Sequence, residues 1–98
     1  MRVKAMKWLD SKLELTKINN EWARVMIDAQ KYQWKPEFLW TKKEVEEVIK
    51  LLERAYDLVN EEFRIYLICG AYDKIPKCTD DMNTLDSEIW RLKVRLAS

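Results

Sequence analysis

The 98-residue chain has no histidine, one glycine, two prolines and two cysteines. Without histidine it lacks the commonest general base, the usual partner of a catalytic serine or cysteine, and histidine-based metal sites. One glycine cannot build a glycine-rich phosphate-binding loop. So few glycines and prolines also disfavour an all-β fold, because tight turns use both. We therefore expect a protein that is not an enzyme, with no cofactor and no metal site.

The two cysteines, Cys69 and Cys78, are too few for a disulfide scaffold and lack the spacing of a metal-binding pair. Cys69 ends an apolar segment, so we expect it to be a small buried side chain. Cys78 lies close to Lys74 and Lys77 and near a predicted helix start, a position that can lower a thiol pKa. The N-terminus does not resemble a signal peptide, and no apolar run approaches the ~20 residues of a membrane span. We expect a cytoplasmic protein with reduced thiols.

Apolar residues make up 48% of the chain, and charged residues make up 36%. That balance is typical of a folded soluble protein, and the length suits one domain over residues 1–98. The net charge of +1 gives no overall attraction to nucleic acid or an anionic membrane. Residues 1–35 carry eight basic and four acidic side chains, whereas residues 36–76 carry six and nine. The two segments can therefore attract each other within a fold or across a dimer.

Hydrophobic periodicity predicts a first helix over residues 5–33. Its apolar residues recur at steps of three and four, as in a helix that buries one face. Leu9, Leu13 and Met26 are expected to widen this face. Pro36 ends the helix, because the residue before a proline is disfavoured in the α conformation. The predicted seam consists of Trp8, Leu15, Ile18, Trp22, Val25, Ala29 and Tyr32.

The second predicted helix has the clearest start signal. Thr41 followed by Glu44 forms a capping-box pattern, in which each side chain accepts a hydrogen bond from the other residue's backbone N–H. Trp40 and Val45 have the spacing of a hydrophobic staple across the helix start. Gly70 is the expected C-terminal cap, since glycine readily adopts positive φ. Two apolar seams are predicted: Val45, Val48, Leu52, Ala55, Val59 and Tyr66, and beside it Ile49, Tyr56 and Phe63.

A third, shorter helix of about 18 residues is predicted to begin near Thr79, with its first-turn carboxylates at the positive end of the helix dipole. The three helices together predict an all-α fold, a three-helix bundle of two long helices and one shorter helix. The short helix cannot cover the whole length of the other two, so we expect dimerisation to complete the bundle. The third seam consists of Met82, Leu85, Ile89, Leu92 and Leu96.

Residues 31–41, between the first two helices, are unusually aromatic. Large aromatic side chains in a connector either close the end of a bundle or form a binding surface, and Trp and Tyr often dominate interface energies. Trp40 is favoured to pack inward because of its staple position, whereas the two alternatives are balanced for Trp34. The candidate partner-binding residues are Tyr32, Trp34, Phe38 and Trp40. The sequence therefore favours a non-enzymatic protein-interaction module, acting as an adaptor, regulator or inhibitor, a class that includes viral and mobile-element proteins.

Two alternatives have some support in the sequence. Basic residues around a tryptophan near the N-terminus can contact phosphates and stack on bases. The residues of this nucleic-acid alternative are Arg2, Lys4, Lys7, Trp8 and Lys12. Carboxylates at helical spacing can hold Mg²⁺ in an all-α hydrolase. For that alternative they are Glu44, Glu47, Asp57 and Glu61, although the basic residues among them favour a solvated helix face instead.

Residues 72–76, Tyr-Asp-Lys-Ile-Pro, resemble a segment near the end of the small helical Hha/YmoA nucleoid modulators, which bind a DNA-organising protein. The resemblance covers five of the 98 residues and assigns no family. It implies a protein-binding regulator rather than an enzyme.

Overall fold

The structure is a computed structural model that describes the backbone of residues 2–98 and the side chains of residues 11–98. The described chain is helical, with α1 at Arg2–Gln33, α2 at Lys42–Cys69 and α3 at Ile75–Ala97. Short 3-10 helices at Glu37–Leu39 and Tyr72–Lys74 lie in the two connectors. The all-α prediction and the number of long helices are confirmed.

Both ends of α2 follow their local sequence signals. The Glu44 N–H donates to the Thr41 hydroxyl at 3.2 Å, and the Thr41 N–H donates to the Glu44 carboxylate at 3.1 Å. Gly70 adopts φ 76° and ψ 16°, the left-handed conformation of a C-terminal cap. The predicted capping box and glycine cap are therefore confirmed.

The predicted start of α3 near Thr79 is wrong. The helix begins at Ile75 and has 23 residues, with Pro76 in its first turn. A proline is tolerated there because the first N–H groups of a helix have no intrahelical acceptor. The second connector is consequently shorter than its sequence suggested, and Cys78 lies inside the helix.

The central helix is α2, because it buries two different faces against the other two helices. One buried cluster joins α1 to α2 through Ile18, Val25, Ala55 and Leu58. The other joins α2 to α3 through Val45, Ile49, Ile89 and Leu92. The predicted seams supply most of these contacts. Leu58 lies outside both seams predicted for the second helix and was missed, because each seam was expected to follow a single narrow stripe.

We predicted that Leu13 and Met26 would widen the buried face of α1, and this prediction is wrong. Leu13 is 63% exposed and Met26 is 43% exposed, whereas the alternate seam residues Ile18 and Val25 are buried. An antiparallel neighbour on one side covers only a narrow stripe of a helix. Trp8 and Leu9 lie outside the described side chains.

Within the part of the chain that the structure describes, α1 and α3 form no interface comparable to those each makes with α2. The molecule is elongated, with extents of 56 × 21 × 17 Å. A trench therefore runs between α1 and α3, with α2 as its floor. The helices pack against one another as a bundle requires, with α2 in the centre, and the bundle is open on this side.

We expect Leu92→Ala to lower the free energy of unfolding by about 2–5 kcal/mol, because Leu92 is only 1% exposed and its removal leaves a cavity. Leu13→Ala makes the same chemical change at an exposed helical site and is the matched control. Urea unfolding followed by circular dichroism would compare the two. An equal loss of stability in both variants would contradict the packing described for α3.

Candidate protein-binding connector

The connector between α1 and α2 has a defined backbone. Pro36 has φ −56° and ψ 139°, which takes the chain out of the helical conformation after α1. The Leu39 N–H then donates to the Pro36 carbonyl and the Trp40 N–H to the Glu37 carbonyl, both at 2.9 Å. These bonds form one 3-10 turn, which Thr41 follows in extended conformation as the cap of α2. The connector is therefore a structured turn rather than an open loop.

Two arginines of α3 fasten this turn to the rest of the molecule. Arg91 donates through both terminal nitrogens to the two carboxylate oxygens of Glu37, each at 2.6 Å. Arg95 donates to the backbone carbonyls of Glu37 at 2.8 Å and Trp40 at 3.2 Å. The bond from Arg91 holds the pKa of Glu37 below its usual range. Because each exposed ion pair alone contributes only about 0–1 kcal/mol, the paired geometry matters more than any one bond.

A second set of bonds ties the turn to the ends of α1 and α2. The Trp40 indole N–H donates to the Lys35 carbonyl at 3.1 Å, and the Lys35 ammonium donates to Glu44 at 2.9 Å. The Tyr32 hydroxyl donates to the Glu47 carboxylate, a bond that raises the pKa of Tyr32 to about 12. Tyr32 also meets Trp40 edge-to-face, with ring centroids 6.2 Å apart.

The four predicted partner-binding residues separate into two inward and two outward side chains. Tyr32 and Trp40 are half-buried, and Trp40 packs against the cluster between α2 and α3. Trp34 and Phe38 are 84% and 79% exposed. Tyr32 and Trp40 therefore pack beneath the connector and support it, whereas the side chains of Trp34 and Phe38 are exposed to solvent.

Leu39 is a further exposed apolar residue of the connector, at 52% exposure, and sequence reasoning missed it. It follows Phe38 in the same 3-10 turn. The sequence signal was available, because Leu39 belongs to neither predicted helical seam. We define the aromatic patch as Trp34, Phe38 and Leu39.

The residues of the nucleic-acid alternative fall largely outside the described part of the chain. The side chains of Arg2, Lys4, Lys7 and Trp8 lie in the first ten residues, which are not described, and Lys12 is exposed on α1. The nucleic-acid alternative therefore stays a prediction.

The carboxylates of the metal-dependent alternative do not converge on one site. Glu44 bonds to Lys35 and Thr41, Glu47 bonds to Tyr32, and Asp57 and Glu61 are exposed. Among the described residues, no group of three or more histidine, cysteine or acidic side chains is arranged to hold a metal ion. The outer position of Asp57 and Glu61 agrees with the solvated face that the sequence favoured.

Both expectations about the cysteines are wrong. Cys69 is exposed in the last turn of α2, and Cys78 is buried inside α3. Burial, followed by the nearby Glu62 and Asp81 carboxylates, raises the pKa of the Cys78 thiol despite the opposing effect of Lys77. The earlier start of α3 explains the error for Cys78, because it moves this residue from a helix start into a packed helical turn.

Comparison of the chain with protein-family models, curated proteins and solved structures gives no significant match. The five-residue resemblance at residues 72–76 thus receives no support from a family model. Among the described residues, no helix has the length and apolar character needed to cross a membrane.

We expect one cysteine to react rapidly with a thiol reagent in the folded protein and the other to react slowly, because Cys69 is exposed and Cys78 is buried with a raised pKa. Absorbance measured during reaction with 5,5′-dithiobis(2-nitrobenzoate) would follow both phases. Cys69→Ser should remove the fast phase and Cys78→Ser the slow one. Loss of the fast phase in Cys78→Ser would contradict the placement of both thiols.

Proposed function

We propose that this protein is a non-enzymatic interaction module that binds another protein through the aromatic patch. The proposal rests on one observation. Trp34 and Phe38 have highly exposed side chains, and hydrogen bonds hold the backbone of their connector in place. Trp side chains at a binding surface contribute large buried areas when a partner covers them. In this role the protein acts as an adaptor, a regulator or an inhibitor.

The fastened connector favours binding because it reduces the ordering that a partner must impose. A loop that is mobile before binding loses conformational entropy when it is ordered, and this loss weakens the complex. Here Arg91 and Arg95 hold the backbone that carries Phe38, and the indole of Trp40 holds the carbonyl next to Trp34. The patch is therefore preorganised.

We also propose that the protein forms a homodimer. Support comes from α3, where Trp90 and Val94 lie one helical turn apart and are both exposed. Apolar side chains four residues apart lie on the same face of a helix. A second copy placed against this face would cover both residues, in agreement with the expectation that a short third helix leaves apolar surface to be covered.

We expect Trp34→Ala and Phe38→Ala each to weaken partner binding by tenfold or more, because exposed aromatic anchors commonly contribute over 1 kcal/mol to an interface. The measurement is affinity capture from an extract of the source cells, followed by titration of the captured protein. Tyr72→Ala is the matched control, since Tyr72 is a similarly exposed aromatic in the other connector.

A further variant tests preorganisation apart from the patch itself. Arg91→Ala keeps all three patch side chains but removes the two bonds to Glu37. It should weaken the same partner by a smaller factor than Trp34→Ala. If Trp34→Ala and Phe38→Ala both capture the partner as well as the unmodified protein does, the connector is not the binding surface.

We expect light scattering at tens of micromolar protein to give the mass of a dimer. Trp90→Glu should shift that mass toward the monomer, because it places a charge in the apolar α3 face. Glu88→Gln, a change on the same helix at a residue paired with Arg91, serves as control. A monomer mass for the unmodified protein would count against the proposed homodimer.

A further inference from the structure

The trench between α1 and α3 holds two clefts that share Trp22 as a common wall, and its chemistry changes from one cleft to the other. On α2 the floor passes from Val48 through Ala55 and Val59 to Tyr66. That span is about 27 Å at about 1.5 Å per residue. Trp22 of α1 borders both halves of the trench. A ligand that follows the floor would therefore meet two environments.

The half nearer the aromatic connector is entirely apolar in its exposed lining. This half is a cleft open to solvent, with a volume of about 230 Å³. Its walls include Met26 and Ala29 on α1 and Leu85 on α3. An apolar cavity of about 150 Å³ can stay free of water and accept a benzene-sized molecule. This half is thus large enough for a short alkyl or aryl group.

The other half is mixed in polarity and encloses about 380 Å³. It carries three carboxylates, Glu62, Asp73 and Asp81, and two ammonium groups, Lys74 and Lys77. Lys74 lies over the Tyr66 ring, 5.9 Å from its centroid. The carboxylates therefore outnumber the ammonium groups, and one of the two cations is engaged with an aromatic ring.

Glu62 is the notable group in this half. It is half-buried and makes neither a hydrogen bond nor an ion pair with the described residues. Burial raises its pKa, Lys77 opposes that shift and Asp81 adds to it. Because the Glu62 and Asp81 carboxylates act on each other and only Lys77 opposes them, an added cation beside the two would be stabilised.

We propose that the trench binds a small amphiphilic amine, with its apolar body in the half lined by Ala29 and Leu85 and its ammonium group beside Glu62 and Asp81. The order of the two halves fixes the orientation of the ligand. The mixed half, at about 380 Å³, falls within the range of roughly 300–1,000 Å³ for small-molecule sites, whereas a docked partner helix would bury a far larger surface. Trp22 supplies a further aromatic side chain that can attract a cation.

The test uses three probes that share an eight-carbon chain: octylammonium chloride, 1-octanol and sodium octanoate. Isothermal titration calorimetry of the full chain should give saturable one-to-one binding of octylammonium, with octanol weaker and octanoate weakest. Glu62→Gln should weaken octylammonium by about tenfold, because it removes a charge-assisted bond. Glu61→Gln, the same change at the exposed neighbouring residue, should leave the affinity unchanged.

A second variant tests the apolar half. Ala29→Phe adds a ring to its wall and should weaken octylammonium while leaving the shorter butylammonium nearly unchanged. Circular dichroism would establish that each variant stays folded. The proposal is overturned if octanoate binds as tightly as octylammonium, if Glu62→Gln has no effect, or if the folded unmodified chain gives no saturable binding of octylammonium at millimolar concentration.

Discussion

The structure depends on the burial of two separate faces of α2. One face carries Ala55 and Leu58 against α1, and the other carries Val45 and Ile49 against α3. Each outer helix buries most of its apolar stripe on α2, although Leu85 of α3 also packs against the cluster between α1 and α2. The same arrangement leaves the trench open and places the α1–α2 connector beside the C-terminal half of α3. The two candidate binding surfaces are thus consequences of how α2 divides its apolar side chains.

Features that depend on neighbouring residues could be predicted from the sequence. The Thr41–Glu44 box and the Gly70 cap involve contacts within a few residues, and the seams follow from helical periodicity. The start of α3 could not be placed, because acidic residues after Thr79 imitate a helix start while Pro76 is equally acceptable in a first turn. The suggested lowering of the Cys78 thiol pKa then followed from the wrong boundary.

Long-range polar contacts determine the rest of the connector, and no local pattern encodes them. Arg91 and Glu37 are 54 residues apart in the chain, and Arg95 reaches backbone carbonyls rather than a side chain. The clustering of aromatic residues between two predicted helices identified four candidates, and the staple position favoured inward packing for Trp40 alone. Trp40 turns inward because its indole N–H finds the Lys35 carbonyl and its ring meets Tyr32. Trp34 and Phe38 remain exposed on a backbone that these contacts hold in place.

The trench and the connector share two side chains, so the two proposed sites are physically linked. Tyr32 and Trp40 line the apolar half of the trench, and the same two residues support the connector through Glu47 and Lys35. An amine bound in the trench would therefore touch residues that position the aromatic patch. If it changes the affinity of the patch for a protein, that protein must change the affinity for the amine by the same factor, because coupling between binding sites is reciprocal. If the amine contacted only residues distant from the connector, we would instead expect the binding free energies of the amine and the protein to be additive.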